Sequence, residues 1–260
     1  MGKGLIFYFY VNKETIYDEL TNLHIKFLTR FKKDFNKIKF AIAMDDINDM
    51  ELYNQGVNIV FEIFGGLQNE LSILPFKHEE GNGISNFFKT EYVEKIHEYD
   101  YVYFTTNLIP DSFIADKDML KKWISLNYYY NLECFNEVQK ELTFKRHNAV
   151  FYSPCLLGNE YTEPILYYYC DNHFWLNSKA IYNIIKFSDE NPLPEQYNKY
   201  YIIDFFVYLQ KHKGILTTVN NLVYYLTHDN IFDIDINIKE VCDNLGYFTE
   251  DFNNFYKENE

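Results

Sequence analysis

Polar side chains that could bind a ligand follow several short apolar runs of this sequence. Asp45 and Asp46 come after the run KFAIAM, and Thr105-Thr106-Asn107 come at the end of a run that begins at Tyr101. Tyr10-Val11-Asn12 ends a third run near the start of the chain. In an open parallel sheet, ligands bind beyond the carboxyl ends of the strands. If the runs are parallel strands, these residues should lie together at one edge.

The two neighbouring carboxylates, Asp45 and Asp46, have two alternative interpretations. They could contact a ribose or hold Mg²⁺ or Mn²⁺, because these cations prefer oxygen ligands. They could also belong to an ordinary strand-to-helix turn, in which an Asp side chain caps the helix. For Asp49 the capping role is the stronger expectation. The sequence provides no complete acidic metal motif, so metal dependence stays open.

Apolar runs and apolar periodicity predict the elements that position these residues. Short apolar runs bounded by polar or glycine residues predict strands over 4–11, 39–44, 57–64, 101–105 and 149–153, of which the first three are predicted to be buried. A further strand is predicted over 161–169, where Pro164 indicates an edge strand or a bulge. Apolar residues spaced by three and four predict an amphipathic helix over 14–35. Further helices are predicted over 84–98, 118–142, 178–188, 197–211 and 217–227, with a frayed helix or tail over 250–260.

Strands that alternate with helices require crossover connections, and crossovers produce a mainly parallel sheet. We therefore predict an α/β fold with a Rossmann-like, mainly parallel sheet flanked by helices. The pattern changes from residue 159 onward, and after the strand predicted over 161–169 the remaining predicted elements are helices. The predicted organisation is a nucleotide-binding domain over 1–188 and a helical C-terminal extension over 189–260 packed on it.

Composition and charge exclude several classes of protein. The formal net charge is −14, whereas a protein that binds nucleic acid needs clustered basic residues to neutralise phosphates. The four cysteines show no CxxC pair or zinc spacing. The first residues lack the plan of a signal peptide, and no apolar run approaches a membrane span. We expect a soluble cytoplasmic protein with no nucleic-acid partner.

Several common catalytic motifs are missing from the sequence. There is no GxxxxGK[ST] loop and no GxGxxG after a strand, which argues against P-loop kinases and ordinary dinucleotide-dependent dehydrogenases. There is no GxSxG and no HExxH. The run His78-Glu79-Glu80 is interpreted as an exposed polar loop. Asn12-Lys13-Glu14 is not the basic, glycine-rich opening loop of a nucleotidyltransferase.

Three stretches, taken in order, resemble a family of small GT-A-type glycosyltransferases found in large DNA viruses and bacterial polysaccharide clusters. They are IFYFYVN at 6–12, DYVYFTTNLIPDSF at 100–113 with the helix at 121–142, and YYYCDNHFWLNSKAI at 167–181. The resemblance covers roughly residues 4 to 188. It implies a GT-A fold. If the protein is viral, the resemblance implies that it acts in the host cytoplasm.

The chain departs from the family pattern at three motifs. Thr105-Thr106-Asn107-Leu108 stands where the family has His-Thr-Lys-Gly, and Trp123-Ile124 stands for Trp-Arg. Asn172-His173-Phe174-Trp175-Leu176 stands for Gly-Asn-Phe-Trp-Trp. Basic residues that could face a diphosphate are therefore missing at two places.

The resemblance implies a nucleotide-sugar donor, UDP- or GDP-linked, and a carbohydrate acceptor. Asp171 is the candidate catalytic base, with capping of a following helix as the alternative. His173 would contact phosphate or acceptor, or else be a structural histidine. Trp175 would stack on a sugar or be a buried core aromatic. The candidate substrate-binding residues are Tyr10, Val11, Asn12, Asp45, Asp46, Thr105, Thr106, Asn107 and Trp175. Asp45 and Asp46 lie outside the resembling stretches and are candidates because they follow a predicted strand.

Two functions follow from these observations. The first is a glycosyltransferase that moves a sugar from a nucleotide sugar to a hydroxyl of a glycan, lipid or protein. The second is a catalytically inactive relative that acts as a binding or scaffold module, which the motif departures favour. The donor, the acceptor and the stereochemical outcome are not determined by the sequence.

Overall fold

A computed structural model gives the structure of the chain and describes residues 2–65, 70–79, 99–108, 117–136, 139, 149–159, 162–177, 215–217 and 250–259. Seven strands form one sheet. The strands are β1 (Lys3–Tyr10), β2 (Lys37–Met44), β3 (Glu70–Lys77), β4 (Tyr101–Thr106), β5 (Ala149–Asn159), β6 (Thr162–Asn177) and β7 (Ile215–Thr217). The described helices are α1 (Glu19–Phe31), α2 (Met50–Phe64), α3 (Lys117–Tyr128) and α4 (Glu250–Asn259).

The order of the strands is β3-β2-β1-β4-β6-β5-β7. β1 pairs in parallel with β2 and β4, β2 pairs in parallel with β3, and β5 pairs in parallel with β7. β6 runs antiparallel to both β4 and β5. The predicted α/β class with a mainly parallel sheet flanked by helices is therefore confirmed.

The hydrophobic core lies between one face of the sheet and the described helices. Leu5, Phe7 and Phe9, which alternate along β1, face this core, as does Val11 just after the strand. α2 approaches the sheet closely at Gly56, where an added Cβ would lie 3.1 Å from Cγ2 of Ile42. The alternate β1 residues Ile6 and Tyr8 are also buried, at 1% and 0% exposure. The central strands are thus buried on both faces, which explains their uninterrupted apolar sequences.

The prediction of a strand over 57–64 is wrong, because these residues belong to α2. Asp49 caps this helix by accepting a hydrogen bond from the Leu52 backbone N–H at 3.0 Å. The buried residues of the helix, Leu52, Gly56, Ile59, Val60, Ile63 and Phe64, follow helical spacing. Phe61 is 55% exposed, and this outward aromatic residue made the run look buried on both faces.

The strand that follows α2 is β3, which the sequence analysis did not predict. Pro75 interrupts its apolar pattern and cannot donate a hydrogen bond to a sheet ladder. Within the described residues, β3 lies at the edge of the sheet beside β2. A proline is tolerated at an edge, so the strand forms despite the weak sequence signal.

The C-terminal helix α4 is docked rather than frayed, which corrects the expectation for residues 250–260. Phe252 and Phe255 are buried at 1% and 4% exposure. The Phe255 ring stacks on Phe27 of α1 with 5.5 Å between centroids. Lys26 Nζ donates a hydrogen bond of 2.6 Å to the backbone carbonyl of Asn259. These contacts hold the last described helix against α1.

Other predictions fall partly or wholly outside the described residues. The helices predicted over 84–98, 178–188 and 197–211 lie outside them, as do most residues of 217–227. Thr217 itself belongs to β7, which pairs with β5. The helix predicted from residue 118 is present as α3, and it continues as a π-helical turn over Tyr129–Glu133. None of the helices in the described parts of the chain is long and apolar enough to span a membrane.

Candidate functional site

The candidate site lies at the edge where the four neighbouring parallel strands β3, β2, β1 and β4 end. The chain proceeds outward from β1 through β2 to β3 and then returns to the other side of β1 to form β4. This reversal defines a topological switch point between β1 and β4, where doubly wound sheets bind ligands. Tyr10, Asn12, Asp45 and Asn107 all stand at this edge, as the sequence predicted.

Asn107 joins the ends of β1 and β4 through its side-chain amide. Its Oδ1 accepts a hydrogen bond from the Tyr10 backbone N–H at 2.8 Å, and its Nδ2 donates to the Tyr10 carbonyl at 2.8 Å. Nδ2 also lies 3.5 Å from Thr21 Oγ1 in the first turn of α1. The amide therefore holds the backbone of Tyr10 in place, and its role here is to position Tyr10.

Asn12 organises the turn that follows β1. Its Oδ1 accepts hydrogen bonds from the backbone N–H of Glu14 at 3.0 Å and of Thr15 at 2.8 Å. The hydroxyl of Thr15 donates to the same oxygen at 2.9 Å. Val11 is fully buried, and its N–H donates to the Ala43 carbonyl at 2.9 Å. Val11 thus presents no accessible surface to a ligand, whereas half-buried Asn12 lies at the surface.

Tyr10 and Asp45 form an accessible polar pair across the ends of β1 and β2. The Tyr10 hydroxyl donates a hydrogen bond of 2.9 Å to Oδ2 of Asp45, which is exposed. The next residue, Asp46, is also exposed, and its Oδ1 accepts from the backbone N–H of Asn48 at 2.9 Å and from its Nδ2 at 3.2 Å. Neither Asp45 nor Asp46 is the helix cap, since Asp49 performs that role.

His78 completes this group and was not among the predicted site residues. Its backbone N–H donates to the Met44 carbonyl at 2.7 Å, which extends the β2–β3 pairing by one residue. Its Nδ1 lies 3.0 Å from the Tyr8 hydroxyl, and its ring contacts the Tyr10 ring with centroids 4.4 Å apart. The interpretation of 78–80 as an exposed polar loop therefore does not hold for His78, which is half-buried.

Burial governs the ionisation of Tyr8 beneath this group. The Tyr8 side chain is fully buried, and burial raises the pKa of its phenol well above the usual range. The neighbouring Tyr10, Asp45 and Glu79 add to this rise in pKa by charge repulsion. Tyr8 is therefore a neutral partner for His78 over the whole physiological pH range.

His173 lies in a buried polar network on the α1 side of the sheet. Its Nδ1 is 2.8 Å from the Tyr103 hydroxyl and 2.9 Å from the Thr105 hydroxyl. Its ring stacks on that of His24 at 5.8 Å, and Nδ1 of His24 lies 3.0 Å from the Tyr128 hydroxyl. Both histidines are buried, at 0% and 1% exposure. Of the two roles expected for His173, the structural one matches this environment.

Thr106 and Trp175 are also fully buried, at 0% exposure. Thr106 Oγ1 accepts a hydrogen bond from the backbone N–H of Leu108 at 3.1 Å. The Trp175 ring packs against Phe135 with centroids 4.6 Å apart, and its Nε1 donates to the Asn131 carbonyl at 2.9 Å. Trp175 thus occupies the position of a core aromatic rather than a surface platform for a sugar.

The backbone of Asp171 lies near the same edge of the sheet. β4 and β6 are antiparallel, with Thr105 paired to His173. Asp171 precedes His173 by two residues along β6 and therefore lies beyond the last residue of β4, at the carboxyl edge. The fold brings Asp171 to the same edge as Asn107 and Asn12.

The described residues supply an incomplete ligand set for a metal ion. No group of three or more His, Cys, Asp or Glu side chains within them is arranged to hold a cation. Asp45 and Asp46 each have one carboxylate oxygen engaged in the hydrogen bonds given above. Two exposed carboxylates could bind Mg²⁺ only if other groups completed its coordination.

Comparisons with known proteins do not assign the chain to a family. No protein-family model matches it, and no curated protein matches it. One solved structure that matches is 4-diphosphocytidyl-2C-methyl-D-erythritol synthase from Anaerococcus prevotii, with 10% sequence identity and a TM-score of 0.41. The match covers 89% of this chain and 95% of that chain. Because the TM-score is this low, the fold class rests on the strand order and register described above.

Proposed function

We propose that this chain is a glycosyltransferase that binds a UDP- or GDP-linked sugar at the carboxyl edge of its sheet. The observation that carries the proposal is the switch point between β1 and β4, with exposed or half-buried polar side chains around it. Ligands of open α/β sheets bind at such switch points. The ordered resemblance of three sequence segments to GT-A enzymes supports a sugar nucleotide as that ligand.

In this proposal, the donor contacts the turn after β1 and the two carboxylates after β2. Asn12 offers its side-chain amide, and Tyr10 and Asp45 offer a polar pair to the nucleoside. Mg²⁺ typically uses one or two protein carboxylates together with substrate phosphates. Asp45 and Asp46 would therefore hold Mg²⁺ or Mn²⁺ only with the nucleotide present. A bound cation would stabilise the negative charge of the leaving diphosphate.

For an inverting transfer, the acceptor hydroxyl oxygen attacks the anomeric carbon of the donor sugar. A new carbon–oxygen bond forms as the bond from that carbon to the phosphate oxygen breaks. The nucleoside diphosphate leaves with the electron pair of the broken bond. The acceptor proton passes to a carboxylate base, for which Asp171 is the candidate. His173 and Trp175, which are buried, would stabilise the strands that carry this site by packing in the core.

A ligand screen followed by a turnover assay tests this proposal. Purified protein is heated with UDP, GDP, CMP, dTDP and their common sugars, with and without Mn²⁺. A ligand present at 100 times its dissociation constant should stabilise the fold by about 2.7 kcal/mol. Asp45→Asn should weaken binding of the stabilising nucleotide, whereas Asp171→Asn should abolish sugar transfer without weakening binding. Binding by no nucleotide at millimolar concentration would refute the proposal.

The second candidate function is a catalytically inactive relative that binds a partner. Burial of Thr105, Thr106, His173 and Trp175 favours it, because residues at the family's motif positions are used here for packing. This alternative expects nucleotide binding without release of nucleoside diphosphate, or no nucleotide binding at all. Detection of specific sugar transfer by the wild-type protein would rule it out.

A further inference from the structure

Two lysines of α3 hold a single carboxylate of α1. Lys117 Nζ lies 2.8 Å from Oε2 of Glu19, and Lys121 Nζ contacts its Oε1. The side chains of Glu19 and Lys117 are 52% and 56% exposed, whereas that of Lys121 is 25% exposed. Asp118 lies 3.7 Å from Lys121 and is 85% exposed. Each oxygen of one anionic group is thus contacted by a different cation.

This group lies beside the switch point between β1 and β4. Glu19 is the first residue of α1, the helix that follows β1. Thr21, in the same turn, has its hydroxyl 3.5 Å from Nδ2 of Asn107, which is bonded to Tyr10 at the end of β1. The two lysines therefore lie next to the edge where the donor is proposed to bind. They provide positive charge near Thr105–Leu108 and Trp123-Ile124, where this sequence lacks the basic residues of the family motifs.

Two ammonium groups that share one carboxylate also match the chemistry of a phosphate. Lys is an effective binder of phosphate as a compact point charge. Hydrogen bonds from Lys117 and Lys121 lower the pKa of Glu19, so its carboxylate is ionised at neutral pH. Exposed ion pairs contribute little to stability, and a phosphate group carrying more charge can replace the carboxylate at small cost.

We propose that Lys117 and Lys121 bind the diphosphate of the donor and that Glu19 occupies this position when no nucleotide is bound. The inference rests on the proposed function for the identity of the ligand. It deepens that function by placing the leaving diphosphate against α3. Glu19 then acts as an internal competitor that keeps the lysine pair together before the donor arrives.

Isothermal titration with inorganic pyrophosphate tests the site without requiring catalysis. E19Q should bind pyrophosphate about tenfold more tightly than the wild type, because the competing charge is removed and the lysines remain. K117Q and K121Q should each bind it at least fivefold more weakly. K33Q, which removes one exposed lysine beyond the far end of α1, is the matched control and should leave the affinity unchanged.

A defined outcome of the same titrations would overturn the inference. If E19Q, K117Q and K121Q lose stability in urea but bind pyrophosphate like the wild type, the three residues only link α1 to α3 and the inference is overturned. A turnover assay separates this inference from the proposed function. Sugar transfer at the wild-type rate by K117Q and K121Q would refute the lysine site alone. If pyrophosphate binding depends on both lysines but the protein transfers no sugar, the proposed transferase function is refuted and the lysine site stands.

Discussion

The stacked histidines His24 and His173 should make the fold sensitive to mild acid. Burial lowers the pKa of His24 from 6.5 to about 3. Burial also lowers the pKa of His173 well below its usual value, and the neighbouring His24 adds to that effect. Both side chains are therefore neutral in the folded protein at pH values where they are protonated in the unfolded chain.

The sign and size of the effect follow from this difference in proton binding. Between about pH 6.5 and pH 3, the unfolded chain binds more protons at His24 than the folded protein does. The contribution of neutral His24 to the free energy of unfolding is therefore fully present above about pH 6.5, and it is lost as the pH is lowered through this range. For His24 alone, the loss between pH 7 and pH 5 is about 2 kcal/mol. His173 should add a loss in the same direction.

Urea unfolding followed by circular dichroism at pH 7 and pH 5 measures this loss. In His24→Gln the difference between the two pH values should shrink by about 2 kcal/mol, because the titrating group is gone. Tyr128→Phe is the matched control, since it removes the hydroxyl partner of His24 and keeps both histidines. It should lower stability similarly at both pH values. A pH dependence in His24→Gln equal to that of the wild type would refute the reasoning, as would an NMR titration of His24 with a midpoint above pH 5.

Three further predictions concern other parts of the structure and are tested by urea unfolding. Asn107→Ala should cost about 2 kcal/mol, because two hydrogen bonds to Tyr10 are lost. Asn107→Asp should not recover this loss, because a carboxylate oxygen in the place of Nδ2 would face the Tyr10 carbonyl oxygen; equal stability of all three proteins would contradict the bridging role. Phe255→Ala should cost about 3 to 5 kcal/mol by removing buried packing against α1. Its control, Phe61→Ala at an exposed aromatic, should stay within about 0.5 kcal/mol of the wild type, and similar costs for the two would contradict docking of α4. Trp175→Phe should cost about 2 kcal/mol or more through the lost hydrogen bond to Asn131 and the cavity left in the core without altering nucleotide affinity, and a large loss of affinity would instead place Trp175 in the ligand site.

The sequence was sufficient to predict the central strands and the edge where the candidate site lies. The apolar runs at 4–11, 39–44 and 101–105 correspond closely to β1, β2 and β4. Strands buried on both faces leave such runs, because side chains pointing in both directions must be apolar. Tyr10, Asn12, Asp45 and Asn107 then reach one edge of the sheet because parallel strands end on the same side.

The sequence was not sufficient where a local pattern fits two structures. The run at 57–64 fits a buried strand as well as a helix with one outward aromatic residue, and short apolar runs do not distinguish these. In the opposite case, β3 carries a proline and too weak a pattern to be recognised. It forms because β2 offers it a partner along the sheet edge.

The use of each polar side chain was decided by the tertiary structure. His173 pairs in register with Thr105 and faces the core, and a shift of one residue would have turned it to the other face. His78 meets Tyr8 and Tyr10 because β3 lies beside β2 and ends in register with it. Lys117 and Lys121 reach Glu19 because α3 packs beside α1, about one hundred residues away along the chain. The sequence determined which polar residues follow the strands, and the packing of distant elements determined which of them are buried and which are exposed at the edge of the sheet.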